Sequence, residues 1–291
     1  MNKNEGRTYG SGWMYHWLVA LLRSMNLRAV YVFMGVLVVP WFVLLARGSR
    51  PTWRYYRVRR GYGWWQSLRS LYGNYYMFGQ TVVDKFAMYA GRHFEIVYHG
   101  FEHARDRSAD APSLLLLNAH IGCNEILGYS FRFDKRCNVL VYGGEKAALM
   151  AYRKLSFGEM NIRMVPIGTD VSHSDEIVSA LECGEYISVF ADRFMTSSKV
   201  ITSQLHGGTV YLARGPFAMA VTRGLEVYMV CTMKEDDGSY SAYLNPLFYD
   251  KRLTKAEQRQ MLADAYTAEL EAMMERYPLQ WFNYSDIWRE K

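Results

Sequence analysis

The sequence predicts an α/β fold, in which helices flank a mostly parallel central sheet and an amino-terminal apolar helical segment associates with a membrane. Short apolar or alternating runs typical of strands recur between residues 93 and 246. Helical patterns lie between most of these runs, and an uncharged run of 17 residues precedes them all. Half of the 291 residues are hydrophobic, which is enough for a large buried core.

The amino-terminal part, residues 1–62, is expected to form an apolar and basic membrane-associating segment before an α/β domain of residues 63–291. Residues 29–45 read AVYVFMGVLVVPWFVLL and would span about 25 Å as a helix, with a kink at Pro40. A second apolar piece, residues 13–22, precedes them. Three interpretations stay open: a short transmembrane helix, an interfacial hairpin, or a buried helical pair. A cleaved signal peptide is not expected, because charges interrupt the apolar region.

A basic stretch follows the apolar run. Six arginines and no acidic residue lie there: Arg47, Arg50, Arg54, Arg57, Arg59 and Arg60. Such a stretch beside an apolar helix favours contact with anionic headgroups and predicts that the following domain lies on the cytoplasmic face. Nucleic acid is the second interpretation, and we do not expect it as a partner, because no zinc spacing, helix-turn-helix or RNA-binding signature accompanies the arginines.

The predicted domain alternates helices and strands. Residues 63–90 repeat apolar side chains at three- and four-residue spacing, which indicates a helix. Further helices are expected after Ser174 and after Thr254, which forms a capping box with Glu257. The predicted strands cover residues 93–100, 113–120, 137–144, 162–168, 186–192, 225–233 and 240–246.

Polar residues follow two of these strands at the point where each ends. His120 comes just after the buried run LLLLN, and Asp192 comes just after YISVFA. In parallel sheets, binding and catalytic sites lie beyond the carboxyl ends of the strands. The two residues are therefore expected at one edge of the sheet.

His120 is followed five residues later by Glu125. On one continuous helix the two side chains would point about 140° apart. They can pair if His120 lies in the turn after the strand, Gly122 permits that turn, and Glu125 lies in the first turn of a helix. Glu125 would then accept from one imidazole nitrogen and leave the other as a base toward a hydroxyl or amine that attacks a carbonyl. The alternative is a core histidine bonded to a nearby carboxylate.

The four cysteines are scattered, with no C-x-x-C pair: Cys123, Cys137, Cys183 and Cys231. Neither a zinc site nor a disulfide framework is expected, and a reducing compartment is the simple inference. Because Cys123 is close to His120, a nucleophilic thiol is one interpretation, and a small buried thiol is the other.

The segment NAHIGCNE, residues 118–125, matches the H-x-x-x-x-[D/E] motif of the glycerolipid acyltransferase superfamily. The motif is followed in order by DR at 192–193, LARGP at 212–216 and YPLQWFNYSDIW at 277–288. With these blocks the chain resembles, over nearly its whole length, the lipid A biosynthesis late acyltransferases that transfer lauroyl and myristoyl groups.

This resemblance implies an enzyme of the bacterial inner membrane, on its cytoplasmic face. It would transfer a fatty acyl chain from acyl carrier protein, or from acyl-CoA, to a hydroxyl or amine of a membrane lipid. The acceptor would be lipid A, an amino acid lipid or an aryl polyene lipid. His120 would be the general base and Glu125 its orienting partner, with no metal or cofactor. The substrate-binding residues implied are Arg163, Asp192, Arg193, Arg214 and Gly215.

Physical reasoning adds possible roles for the arginines. Arg163 or Arg214 could stabilise the negative charge that develops on the thioester oxygen. The cluster of arginines between residues 47 and 60 could bind an acidic carrier protein. Two other functions remain open: a non-catalytic lipid-binding protein of the same fold, and a thioesterase-like hydrolase that uses Cys123.

Overall fold

A seven-stranded, mostly parallel sheet forms the centre of the computed structural model, which describes residues 12–102, 113–142, 160–167, 172–194 and 199–288. Its strands are β1 (Ile96–His99), β2 (Leu114–Gly122), β3 (Cys137–Tyr142), β4 (Ile162–Ile167), β5 (Tyr186–Phe190), β8 (Glu226–Lys234) and β9 (Tyr240–Leu247). They are ordered β1-β9-β8-β2-β5-β3-β4, and all neighbours are parallel except β8 and β9. The predicted α/β class is confirmed.

Helices surround this sheet and form most of the amino-terminal part. They are α1 (Gly12–Ser24), α2 (Leu27–Phe33), α3 (Val39–Leu45), α4 (Ser49–Arg54), α5 (Trp64–Tyr89), α6 (Asn124–Ser130), α7 (Ser172–Glu182), α8 (Arg214–Arg223) and α9 (Lys255–Arg276). The predicted helices at 63–90 and after Thr254 are confirmed, and the Thr254–Glu257 capping box is present.

The leucine run of β2 lies at the centre of the sheet and is covered on both faces. Leu115 and Leu117 belong to one apolar cluster, which also includes Leu262 and Tyr266 of α9. Leu114 and Leu116 belong to a second cluster on the opposite face. Successive strand residues point to opposite faces, so four consecutive leucines are what a strand buried on both faces requires.

The apolar run near the amino terminus is continuously helical from Leu27 to Leu45. A π-helical stretch, Met34–Val38, separates α2 from α3 and comes directly before Pro40. Proline has no N–H for the carbonyl one turn earlier and its ring crowds that carbonyl, so a wider turn accommodates it. The 19 residues span about 28 Å.

A buried polar cluster built on one ion pair joins this apolar helix and α5 to the sheet. Lys234 at the end of β8 is 4% exposed and contacts Asp84 of α5, whose side chain is fully buried. The hydroxyl of Tyr240 donates to Asp84 at 2.5 Å, and Tyr31 of α2 also donates to Asp84. Lys234 Nζ lies 3.3 Å from the Tyr31 hydroxyl. Four elements, α2, α5, β8 and β9, therefore share one buried polar cluster.

Two elements were missed at the sequence level, namely helix α8 and an antiparallel hairpin of β6 (Val200–Leu205) and β7 (Gly208–Ala213). The hairpin turns at His206 and Gly207, which both have positive φ. This is the backbone that a tight two-residue turn needs, although histidine is not one of its usual residues. His206 is held there because its N–H donates to Glu271 of α9 at 2.9 Å.

The predicted boundary after residue 62 stays a prediction, but the segment before it is not separate in packing. Tyr55 and Tyr56 are 2% and 1% exposed and belong to the cluster that covers Leu115 and Leu117. The basic stretch therefore contributes two large aromatic side chains to the core of the domain.

Candidate active site

His120 lies where β2 separates from β8. The register between these strands is regular up to Asn118 and resumes at Gly122. Over this gap a carboxy-terminal segment takes the place of β8: the N–H of Phe282 donates to His120 O at 2.6 Å, and the N–H of Gly122 donates to Gln280 O at 2.9 Å. The backbone around His120 is thus fixed from two directions.

Gly122 permits the path of the chain after His120, as the sequence indicated. Its φ is +59°, and a Cβ at this position would lie 2.1 Å from the carbonyl oxygen of Thr232. Backbone at this φ strains residues with a side chain, and here the space is also absent. The next N–H, that of Cys123, donates to the same carbonyl at 2.7 Å.

The structure pairs His120 with Asp192. His120 Nδ1 lies 2.7 Å from Asp192 Oδ1, and the His120 backbone N–H donates to Oδ2 at 2.8 Å. The Asp192 side chain is fully buried, whereas the imidazole is 30% exposed and lies with its centroid 4.7 Å from the ring of Phe190. The two residues therefore lie at one edge of the sheet, as expected, and the bond between them is an addition of the structure.

The charge state of Asp192 fixes the imidazole tautomer. Burial alone raises the pKa of this carboxyl, but the charge of His120, the bond from its ring and the nearby Arg193 outweigh burial and lower the pKa below its usual range. An ionised carboxylate only accepts hydrogen bonds, so Nδ1 carries the proton in the neutral ring. Nε2 is then the free basic nitrogen, which is the form that a general base requires.

Asn283 and Arg193 complete the surroundings of the Asp192 carboxylate. Asn283 Nδ2 donates to Asp192 O at 3.1 Å and to Oδ2 at 3.3 Å. Arg193 Nε donates to Asn283 Oδ1 at 3.0 Å, and its Nη2 donates to Phe282 O at 3.3 Å. Sequence reasoning did not select Asn283, although it lies in the block that carried part of the family resemblance.

The prediction that Glu125 orients His120 is wrong for this structure. Glu125 lies in the first turn of α6, as expected, but its carboxylate faces α5: Lys85 Nζ is 3.4 Å away and the Tyr89 hydroxyl donates at 3.3 Å. The imidazole Nδ1 is occupied by Asp192 instead. Because β2 and β5 are adjacent, the carboxylate that follows β5 reaches the ring more directly than one beyond the turn.

Arg163 does not lie at this edge of the sheet. The register across β4, β3, β5 and β2 puts it level with Leu115, five residues before His120. At 3.3 Å per residue the two are separated by about 16 Å along the strand direction. Arg163 forms an exposed ion pair with Glu176. The expectation that it lines the site is therefore wrong.

Arg214 and Gly215 open helix α8, and their expected substrate-binding roles stay predictions. The Arg214 side chain is half-buried, and its backbone N–H donates to Lys199 O at 2.9 Å. Gly215 is exposed, and a Cβ there would meet nothing within 4 Å. Arg193, by contrast, is placed directly beside the His120–Asp192 pair.

The Cys123 thiol is poorly suited to act as a nucleophile. Burial, with the nearby charge of Glu125, raises its pKa to about 12. A thiol with this pKa is protonated at neutral pH, and only the thiolate reacts efficiently. In the ranges the structure describes, no group of three or more His, Cys, Asp or Glu side chains is placed to hold a metal ion.

The amino-terminal helix presents an apolar surface on the outside of the molecule. Leu27–Leu45 is the one helix in the described part of the chain that is long and apolar enough to cross a membrane. Its mean hydropathy is 2.1, and 17% of its most apolar 18-residue stretch is buried. An open groove of about 440 Å³ lies between α3 and α5. Arg69 is the one charged residue in its lining. The residues that line the groove are Pro40, Val43, Leu44, Trp65, Leu68, Arg69 and Tyr72.

At least four of the six arginines in the basic stretch contact their own chain, among them Arg57, which donates to Tyr62 O at 2.5 Å. Arg54 lies 2.9 Å from Asp286, Arg60 pairs with Glu275, and Arg59 lies over the Trp288 ring. Arg47, Arg50 and Arg57 are exposed. The positive charge available to a partner is thus smaller than the sequence alone indicates.

No protein-family model matches the chain, and no curated protein is significantly similar to it in sequence.

Proposed function

We propose that the protein is an acyltransferase that uses His120 as a general base and Asp192 as its orienting carboxylate. The observation that carries the proposal is the bond between Nδ1 and the buried Asp192, combined with a ring that is 30% exposed. This arrangement leaves Nε2 basic and accessible to a substrate. The donor is a fatty acyl thioester of acyl carrier protein or of coenzyme A, and the acceptor is a hydroxyl or amine of a membrane lipid.

The proposed reaction needs one proton shuttle. The acceptor oxygen or nitrogen attacks the thioester carbon while Nε2 of His120 takes its proton. The carbonyl oxygen carries the negative charge of the tetrahedral intermediate until the C–S bond breaks. The departing thiolate then takes the proton from the imidazolium, so His120 returns to its starting form. Asp192 stabilises the imidazolium through the short bond to Nδ1.

Among the residues that the structure describes, Arg193 is a cation suited to act on an anionic group beside His120. One edge of its guanidinium is fixed by Asn283 Oδ1 and Phe282 O, while its Nη1 donates to none of the described residues and the side chain remains exposed. A guanidinium fixed in this way suits a phosphate of the lipid or the developing oxyanion. We assign it the role first expected for Arg163 or Arg214.

Membrane association is supported by the exposed apolar helix. Large apolar side chains project from it, among them Trp41 at 65% and Leu44 at 75% exposure, and Trp65 beside the groove is 76% exposed. Tryptophan at such a position is typical of the interface between lipid and water. We place the protein at the cytoplasmic face of the bacterial inner membrane, with the groove between α3 and α5 open to lipid.

The carrier-protein partner is supported by charge. The chain has a net charge of +6, and Arg47, Arg50 and Arg57 are exposed close together in sequence. An acidic carrier would be attracted to such a surface, and the effect would weaken with salt. The same exposed arginines also suit anionic headgroups, and binding of nucleic acid is not part of the proposal.

The test uses the full-length protein in lipid nanodiscs with a radiolabelled acyl–carrier thioester and a membrane lipid extract. We expect labelled lipid from the wild type and a loss of about 10²- to 10⁴-fold in rate for His120→Ala. His93→Ala is the matched control, because His93 is exposed and outside the site. Transfer by His120→Ala at the wild-type rate would contradict the proposal.

The same experiment separates the two other functions. If the wild-type protein binds acyl chains but yields no labelled lipid, the result would favour a non-catalytic lipid-binding protein. Release of free fatty acid that stops when Cys123 is alkylated would favour a thioesterase. The raised pKa of the Cys123 thiol predicts that alkylating reagents at neutral pH leave acyl transfer unchanged.

A further inference from the structure

We propose that Asn283 is a positioning residue for the His120–Asp192 pair, a role that rests on the proposed function and adds a residue to it. Asn283 is 2% exposed and donates to Oδ2 of the Asp192 carboxylate, whereas the imidazole bonds to Oδ1. Asn283 acts through Asp192, and it also holds Arg193 beside the site.

The side-chain amide of Asn283 can adopt only one orientation. Its Nδ2 faces two acceptors, the main-chain oxygen and Oδ2 of Asp192, at 3.1 and 3.3 Å. Its Oδ1 faces two donors, Arg193 Nε at 3.0 Å and the N–H of Ser285 at 3.3 Å. A flipped amide would break all four bonds, so the donor side is locked toward Asp192.

This amide fixes the direction in which Asp192 faces His120. Oδ2 accepts from the His120 backbone N–H and from Asn283, which leaves Oδ1 for the imidazole Nδ1. A buried carboxylate that loses a donor is less stable in its ionised form and freer to rotate. The selection of the Nδ1–H tautomer in His120 would then weaken.

The segment that carries Asn283 is itself firmly held. The buried side chain of Asn74 in α5 donates to Leu279 O at 3.0 Å and to Trp281 O at 2.8 Å. The side chain of Gln280 bonds to both main-chain groups of Lys234, at 3.0 and 2.6 Å. Buried amides that satisfy backbone groups in this way rigidify the segment, so Asn283 is placed by the fold.

Two substitutions isolate the donor function. Asn283→Asp keeps the shape and the acceptor for Arg193 but removes the N–H groups that face Asp192. Asn283→Ser keeps a small polar side chain that is too short to span the gap. Asn138→Ser is the matched control, because Asn138 is equally buried and bonds to Glu185 and Tyr186 O at the opposite end of the sheet.

The first readout needs no substrate. The chain has seven histidines. Their ring nitrogens are labelled with ¹⁵N, the His120 signal is assigned by its loss in His120→Gln, and the tautomer is read from the shifts. We expect one Nδ1–H form in the wild type and in Asn138→Ser, and mixed tautomers in both Asn283 variants. An unchanged single tautomer in folded Asn283→Asp and Asn283→Ser would overturn the proposal.

The second readout is the kinetics of acyl transfer. We expect kcat of both Asn283 variants to fall at least 10-fold while KM for the thioester changes less than 3-fold, because donor binding does not use the amide. A rise in KM without a fall in kcat would contradict a positioning role. If the wild type shows the Nδ1–H tautomer but transfers no acyl group, the proposed function fails while the role of Asn283 stands.

Discussion

Asp192 holds His120 by two hydrogen bonds, one from the imidazole Nδ1 at 2.7 Å and one from the backbone N–H at 2.8 Å. The two bonds together set both the rotation of the ring and its distance from the carboxylate. We expect Asp192→Asn to lower the rate of acyl transfer by about 10²- to 10⁴-fold, because an amide can favour the wrong tautomer. Rates are measured with the labelled thioester assay.

Glu125 supplies the comparison for this prediction. Its carboxylate contacts Lys85 and Tyr89 of α5. The rate of acyl transfer by Glu125→Gln should therefore stay within about 10-fold of the wild-type rate, and any decrease would reflect the loss of a half-buried ion pair. Equal losses in Glu125→Gln and Asp192→Asn would mean that Glu125 takes part in the reaction.

The Lys234–Asp84 ion pair should be costly to break on one side only. Lys234→Met leaves the fully buried Asp84 carboxylate without its cation, and we expect the free energy of unfolding to fall by about 3–5 kcal/mol. Adding Asp84→Leu removes the stranded charge and should recover part of that loss. Chemical unfolding of the single and double variants measures this, and a double variant less stable than Lys234→Met would refute the account.

Gly122→Ala tests the backbone beside His120. The added Cβ would lie 2.1 Å from Thr232 O at a φ of +59°, so we expect a loss of about 1–3 kcal/mol in unfolding free energy together with reduced activity. Gly215→Ala is the stability control, since its Cβ meets nothing within 4 Å. Equal melting temperatures for the two variants would show that the site tolerates a side chain at residue 122.

His206 predicts a pH dependence of stability. Burial lowers its pKa, and Arg60 lowers it further, despite the opposing charges of Glu271 and Glu275. The unfolded chain therefore binds a proton first as the pH falls through 6.5, and the free energy of unfolding decreases there. Chemical unfolding between pH 7.5 and 5.5 should show a smaller decrease for His206→Gln. The same slope in both proteins would exclude His206 as the cause.

Much of the fold could be predicted from local patterns. The leucines of β2 identify a strand buried on both faces, and the Thr254–Glu257 box marks the start of α9, because both signals depend on residues close in sequence. The β6–β7 hairpin was missed because its turn uses His206, whose conformation is secured by Glu271 of a distant helix. No local signal reports such a tertiary contact.

The edge of the sheet at which His120 and Asp192 lie could be predicted, but their pairing could not. The ends of two parallel strands brought His120 and Asp192 to one edge, and this followed from the fold class alone. Which carboxylate reaches the imidazole depends on strand order: β5 is adjacent to β2, whereas Glu125 turns toward Lys85. Strand order and the position of Asn283 are both set by contacts between residues far apart in sequence. Neither can be read from a local sequence pattern.

The bonds that build the site join parts of the chain that are far apart. His120 is 72 residues from Asp192, and Asp192 is 91 residues from Asn283. Contacts of such long range form late when a chain folds, because the entropy cost of closing a long loop precedes the free energy gained from the contacts. A folding intermediate in which β2 is already buried would still lack an oriented His120 imidazole. Under the proposed function, regain of acyl transfer during refolding should therefore lag behind recovery of secondary structure.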